Sequence, residues 1–174
     1  MEPAFVNQYT ITLGLLKEWS KLPVGRSAIQ GRRKWRTLRT FGVGISLAII
    51  VFGAIMLEFY AALLGVAFLA VFVLQLFVVP ARALKKQYEL KIKSLNNQPW
   101  IRKTVFVDKI IVEDGNSTTN FEYSEIIKVT ENEQYFNLFL NEDMVLRIRR
   151  DSFILGESNA FRNFIDTAIA NSAS

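Results

Sequence analysis

Two uncharged runs separated by a single carboxylate constrain what this chain can fold into. Phe41 to Leu57 is 17 residues without a charge; Glu58 interrupts, and Phe59 to Val79 adds 21 more, with Gln75 the one strongly polar member. As helices the runs are about 26 and 32 Å long, each near the ~30 Å hydrocarbon thickness of a bilayer. One helix through both would reach about 58 Å, beyond what tilt or mismatch accommodates. The spacing therefore predicts an antiparallel membrane hairpin with spans at 41–57 and 59–79, turning near Leu57–Tyr60. A chain of 174 residues has too little other material to bury two such helices in a soluble core. No secretory leader is expected, because 40 largely polar residues precede the first apolar run.

The few polar and small residues in this region have modest readings. Glu58 coincides with the place where the chain must turn, so it reads as a solvated turn carboxylate rather than a proton-pathway group. Gln75 is placed to hydrogen-bond across the hairpin or between copies. Gly44 with Ala48, and Ala61 with Gly65, are small-xxx-small pairs that allow close helix approach within one chain or between subunits.

Charge orients the hairpin. Lys17 to Lys103 holds 15 Lys/Arg against three acids, whereas Thr104 to the C-terminus holds six against 12. Arg32, Arg33, Lys34, Arg36 and Arg39 lead into the first run; Arg82, Lys85, Lys86, Lys91 and Lys93 follow the second; the turn has no cation. Cations concentrate on the cytoplasmic side of membrane proteins, so both termini are expected there. Arg32, Arg33, Lys34, Trp35, Arg36, Arg39, Arg82, Lys85 and Lys86 are the candidate interface anchors on anionic headgroups, with Trp35 at headgroup depth. The run from Gly31 to Arg36 also resembles a nucleic-acid patch, but its place beside an apolar run favours lipid, and no nucleic-acid partner is expected. Trp100 is either a second interfacial anchor or the first core residue of the soluble domain.

After Pro99 the apolar period changes to two. Thr104–Val107 and Lys109–Glu113 are β-branched runs joined to the next strand by an Asp114-Gly115 turn signal. Asn120–Tyr123, Ile126–Thr130, Tyr135–Leu140 and Met144–Arg149 come next. Phe136, Leu138 and Leu140 share one face, as do Met144, Leu146 and Ile148. An amphipathic helix from about Ser158 to Ala170 closes the chain, with Phe161, Phe164, Ile165, Ala168 and Ile169 on its apolar stripe. Strands with one terminal helix over their apolar face define an α+β domain. Phe5–Thr12 reads as another strand and Leu15–Leu22 as a short helix, both expected to dock on that domain. The expected organisation is 1–25 docking segment, 26–40 basic juxtamembrane segment, the two spans, 80–98 basic linker and 99–174 soluble domain.

Catalytic signals are missing from the sequence. It contains no Cys and no His, which removes disulfides, thiolate metal sites and the commonest general base. It has no Gly-rich phosphate loop, HExxH or GxSxG. Asp108, Glu113 and Asp114 are near one another, but alternate strand residues face opposite ways. Neither an enzyme nor a cofactor is expected.

Strand, short helix, basic segment, two apolar helices and β-rich domain, in that order, resemble the YcxB-like family of bacterial membrane proteins. The resemblance is carried by Phe121-Glu122-Tyr123-Ser124-Glu125-Ile126, Tyr135-Phe136-Asn137-Leu138-Phe139-Leu140, Ile148-Arg149-Arg150-Asp151-Ser152-Phe153 and the Phe161–Ala168 helix. It implies a pleckstrin-homology-like antiparallel sheet with a C-terminal helix, in the bacterial cytoplasmic (inner) membrane. Tyr123 stands where the family usually has Trp, and Arg149 where it often has Pro. The expected function is a membrane-anchored interaction module that binds a protein partner or lipid headgroups, with Arg147, Arg149 and Arg150 as candidate contacts. The alternatives are a small homo-oligomeric channel or transporter subunit, or an accessory or immunity protein acting on another membrane protein or toxin.

Overall fold

The computed structural model describes residues 2–21, 26–56 and 59–172, with the side chains of residues 26–28, 32, 61, 62, 76 and 77 left out. Of the turn expected near Leu57–Tyr60, residues 57 and 58 lie outside the described residues, and Phe59 and Tyr60 belong to the next helix. In chain order the elements are β1 (Phe5–Thr10), α1 (Leu13–Lys21), α2 (Arg26–Ile55), α3 (Phe59–Val73), a π-helical turn (Leu74–Val78) and α4 (Val79–Ser94). Then come β2 (Ile101–Phe106), β3 (Ile110–Asp114), β4 (Ser117–Phe121), a 3-10 turn (Tyr123–Glu125), β5 (Lys128–Glu131), β6 (Tyr135–Phe139), β7 (Val145–Arg149), β8 (Phe153–Leu155) and α5 (Ser158–Ser172). Two units result: Ile29–Glu89, and Met1–Ala28 with Leu90–Ser174.

The first unit is helical and apolar. Ile29–Ile55 is long and apolar enough to cross a membrane, with a mean hydropathy of 2.0, while the apolar helix Leu63–Val73 is shorter. The second apolar run is not one uniform helix to residue 79: a π-helical turn containing Gln75 interrupts it, and α4 carries the helix on through most of the segment read as a linker. Gly42 faces the Phe72 ring so closely that a Cβ would collide with it; a Cβ on Gly65 would lie 3.0 Å from the Ile50 nitrogen and 3.2 Å from the Ser46 carbonyl oxygen. These neighbours run in opposite senses, so α2 and α3 pack antiparallel. Gly42 and Gly65 allow the close approach, whereas Gly44 has nothing within 4 Å of a built Cβ. Gly44 and Ala48 are exposed, as is Gln75. The side chain of Ala61 is outside the described residues.

The second unit is an α+β domain built from both ends of the chain. A five-stranded antiparallel sheet has the order β4-β3-β2-β1-β8, and a three-stranded antiparallel sheet has the order β5-β6-β7. β1 is an interior strand of the larger sheet, paired with β2 from Phe5↔Phe106 to Thr10↔Ile101 and with β8 through Val6↔Leu155. Left-handed backbone at Asn96 (φ 54°) and Asn97 (φ 62°) ends α4, with the Asn97 N–H donating to the Ile92 carbonyl at 3.0 Å. Asn is among the few non-glycine residues that tolerate this conformation, and the bond from Asn97 is that of a helix C-cap.

The main core joins Phe5, Phe106, Ile110, Tyr123, Phe136, Leu138, Ile148, Phe161 and Ile165. Phe161 and Ile165 of α5 are fully buried and insert between the sheets. Phe161 meets Phe106 at 4.9 Å, Phe136 at 5.0 Å and Phe5 at 5.4 Å between ring centroids. Phe164 is half-buried rather than central; one helical turn aside, its ring lies 4.8 Å from that of Phe5. Gly156, at φ +81°, leaves no room for a Cβ beside the Phe5 ring, which lets the chain enter α5 over β1. Met144, expected on the buried face of its strand, is instead exposed, because β7 begins one residue later. β6 buries both faces, with Tyr135 and Asn137 covered as well as Phe136 and Leu138. A second cluster on that other side joins Tyr9, Ile11, Leu15 and Tyr135, with Leu16, Trp19 and Trp100 packed against it. Trp100 is thus a packing residue of the domain.

Among the described residues, unpaired polar atoms remain inside this packing, Trp19 Nε1 in the second cluster among them. Asn7 and Thr104 are cross-strand partners, both fully buried, and neither Asn7 Oδ1 nor Thr104 Oγ1 has a hydrogen-bond partner among the described residues. A buried polar atom left unpaired costs about 1–3 kcal/mol. Thr104→Val, which keeps the shape and removes the orphan hydroxyl, is expected to stabilise the protein by about 1 kcal/mol in denaturant unfolding. Phe161→Ala is expected to cost about 3–5 kcal/mol, and Arg162→Ala on the outer face of α5 under ~0.5 kcal/mol.

Candidate functional site

The basic positions fall on two helices. Arg33, Lys34, Trp35, Arg36 and Arg39 all lie on α2 and are exposed; the Arg32 side chain is outside the described residues. Positions 32, 35, 36 and 39 recur at i, i+3, i+4 and i+7, which is one side of a helix. On α4 the same spacing groups Arg82, Lys85, Lys86, Glu89 and Lys93, all exposed, with Lys85 and Glu89 paired at 3.6 Å. The segment read as a linker therefore holds its cations as an ordered stripe.

Arg147, Arg149 and Arg150 sit at the end of β7 and each is engaged within the domain. Arg149 holds Asp151 with both ends of its guanidinium, at 3.0 and 2.6 Å. That hydrogen bond holds the Asp151 carboxyl below its usual range. Arg150 pairs with Glu131, donates to the Asn132 carbonyl at 2.8 Å and lies 4.1 Å from the Phe136 ring centroid. Arg147 stacks 5.3 Å from the centroid of Trp19, and burial lowers its pKa. A cavity of about 170 Å³ beside them is lined by Arg149 and Arg150 but also by Glu18, Glu133 and Asp151. Three carboxylates against two guanidiniums do not make an anion-selective site.

The centre of this region is Trp19 of α1, which sequence reasoning missed. Tyr9 and Tyr135 meet it edge-on at 6.3 and 6.5 Å, and Arg102 lies 5.8 Å from its ring centroid. Arg102 in turn donates through Nε to Asp114 Oδ2 at 3.1 Å, and Trp100 donates to the other oxygen of the same carboxylate. The signal was faint: Leu15 and Leu16 lie four and three residues before Trp19, on one side of a helix. Of the three acids near β3, Asp114 is taken by Arg102, and Glu113 pairs across the strands with Lys103 at 3.5 Å. Among the described residues no group of three acids is gathered to hold a metal.

These features define an α+β domain whose first strand and remaining strands are separated in sequence by a long apolar helical segment. Residues 106–165 match the family model described as YcxB-like protein, so that segment is similar to YcxB-like proteins. No curated protein and no solved structure matches the chain. The matched segment holds β3 to β8 and the start of α5; β1, α1 and nearly all of β2 precede it.

The Arg149–Asp151 pair yields a pH dependence. A carboxyl with a depressed folded pKa adds stability above its ordinary value of 3.8, and that stability is lost as pH falls through the lower folded value. Wild type is expected to melt slightly above Asp151→Asn at pH 7, with the gap closing as pH falls below 3.8 and through the lower folded value, by thermal denaturation of the detergent-solubilised proteins.

Proposed function

We propose that this protein is a membrane-anchored, non-enzymatic interaction module. Its two apolar runs span a bacterial cytoplasmic membrane as a hairpin, and its α+β domain, of pleckstrin-homology-like type, works at the cytoplasmic face as a docking surface for a protein partner. One observation carries this reading: the pairing of Thr10 with Ile101. The last residue of β1 and the first of β2 are neighbours across one ladder, yet the whole helical segment lies between them in sequence. Both ends of that segment must therefore return to the same place. An inserted segment whose ends meet on one side crosses a bilayer an even number of times, and the two apolar runs supply two crossings. The cationic stripes on α2 and α4 suit the anionic headgroups of the cytoplasmic leaflet.

A protein partner is favoured over free headgroups at the β7 arginines, because all three are already committed within the domain and carboxylates share their cavity. The native chain has no cysteine, so single-cysteine variants at Glu2, Glu58 and Ser172 report topology cleanly. With an impermeant thiol reagent on intact cells, Glu58→Cys is expected to label, and Glu2→Cys and Ser172→Cys only after permeabilisation. Labelling of either terminal cysteine on intact cells, or release of the protein by alkaline carbonate, contradicts this reading.

A further inference from the structure

The three-stranded sheet leaves part of the five-stranded sheet uncovered. Ser117 and Thr119 of β4 are in register with Asp114 and Val112 on the side that faces the smaller sheet, yet both are exposed. Between β4 and β7 lies an open cleft of about 190 Å³ whose apolar lining includes Val112, Phe121, Leu140, Met144 and Leu146. Met144 stands partly exposed at its mouth.

β4 is also an end strand of the larger sheet. Its register with β3 closes at Asp114↔Ser117 across the two-residue turn Gly115-Asn116, so the hydrogen-bonded pairs are 114–117, 112–119 and 110–121. Thr118 and Asn120 consequently present their N–H and C=O groups away from β3. Edge strands are ordinarily protected by lysine, proline or a bulge. Ser117-Thr118-Thr119-Asn120-Phe121 contains no lysine or proline, and its pairing with β3 shows no shift of register. The one cation among the described residues that line the cleft, Arg102, is paired there with Asp114. The surroundings are acidic: Glu122 and Glu125 come after the strand, and Glu142 and Asp143 lie on the loop between Leu140 and Met144, both of which line the cleft.

We propose that the edge of β4 and the adjoining cleft form a peptide-docking site, which takes an extended, basic segment of a partner protein by strand addition. Backbone groups of Thr118 and Asn120 pair with the incoming strand. An aliphatic side chain enters the cleft, and alternate or flanking lysines and arginines meet the carboxylates of the rim. Main-chain pairing gives affinity in such docking, and pockets for alternate side chains give selectivity. A second copy of this chain is a poorer occupant, because it would bring the same acidic rim against itself. The inference deepens the proposed interaction role and rests on it, but the site does not depend on the domain being membrane-anchored.

The test uses the full chain in neutral detergent and a fluorescent peptide of alternating lysine and valine. Saturable binding is expected by anisotropy, with slowed hydrogen exchange at Thr118 and Asn120. N-methylation of alternate peptide nitrogens, which keeps charge and apolarity but removes the donors, is expected to weaken binding about tenfold or more. Asn120→Pro removes an outward N–H without touching the β3 ladder and is expected to do the same, as is Thr119→Lys, which puts a cation in the cleft. A glutamate–valine peptide is expected not to bind. Three results overturn the proposal: no binding of the lysine–valine peptide, binding indifferent to N-methylation and to both substitutions, or a dimer that Asn120→Pro converts to monomer. Should Asn120→Pro fail to fold, the N-methylated peptide on the native chain decides alone. Release of the protein from membranes by carbonate would defeat the anchoring claim and leave the docking result standing.

Discussion

The domain depends on what two side chains of its first strand do to the edge of its smaller sheet. β7 is an end strand, and its residues 147 and 149 turn their carbonyls away from β6. Asn7 donates its amide to the Arg149 carbonyl at 2.7 Å, and Tyr9 donates its hydroxyl to the Arg147 carbonyl at 2.9 Å. Residues two apart on β1 thus satisfy carbonyls two apart on β7, tying one sheet to the other by side chain where no ladder runs. On either side of Asn7 along the same face of β1, Phe5 enters the aromatic core with α5 and Tyr9 enters the cluster with Trp19. The unpaired Asn7 and Thr104 oxygens are the cost of placing an amide at this position.

That arrangement explains why the chain is organised around its helical insertion. The YcxB-like segment, residues 106–165, contains neither β1 nor the bulk of β2. Without them the larger sheet keeps only β3, β4 and β8, and β8 loses the strand it pairs with. The domain is completed by residues from before the apolar segment, so the two ends of that segment are fastened to adjacent strands. A domain attached in this way has two covalent links to its helices.

Much of this was legible from residue order. The uncharged runs, the change to period two after Pro99, the strand at Phe5 and the stripe of the final helix each arise from local patterns. The features that were not legible depended on distant neighbours. Period two shows which residues of β6 share a face but not that both faces are covered; Tyr135 is buried because β1 and α1 arrive from over a hundred residues earlier. Met144 belonged to the apolar alternation but lies at the mouth of a cleft. Arg147, Arg149 and Arg150 were read as a group of candidate contacts, and only the tertiary structure shows each spent on a different partner. Trp19 was hidden because one aromatic residue on a nine-residue helix gives little signal until the arginines that flank it are placed.

The claim that β1 completes the domain is tested most directly by hydrogen exchange on the full chain and on a chain lacking residues 2–12, both in detergent. If β1 has the role described, its removal abolishes slow exchange in β2 and β8 and along β7, and lowers protection through the aromatic core, while α2 and α3 keep theirs. Unchanged protection in β2, β7 and β8 after the deletion would contradict the account, since the sheets would then be holding together without the strand that joins them.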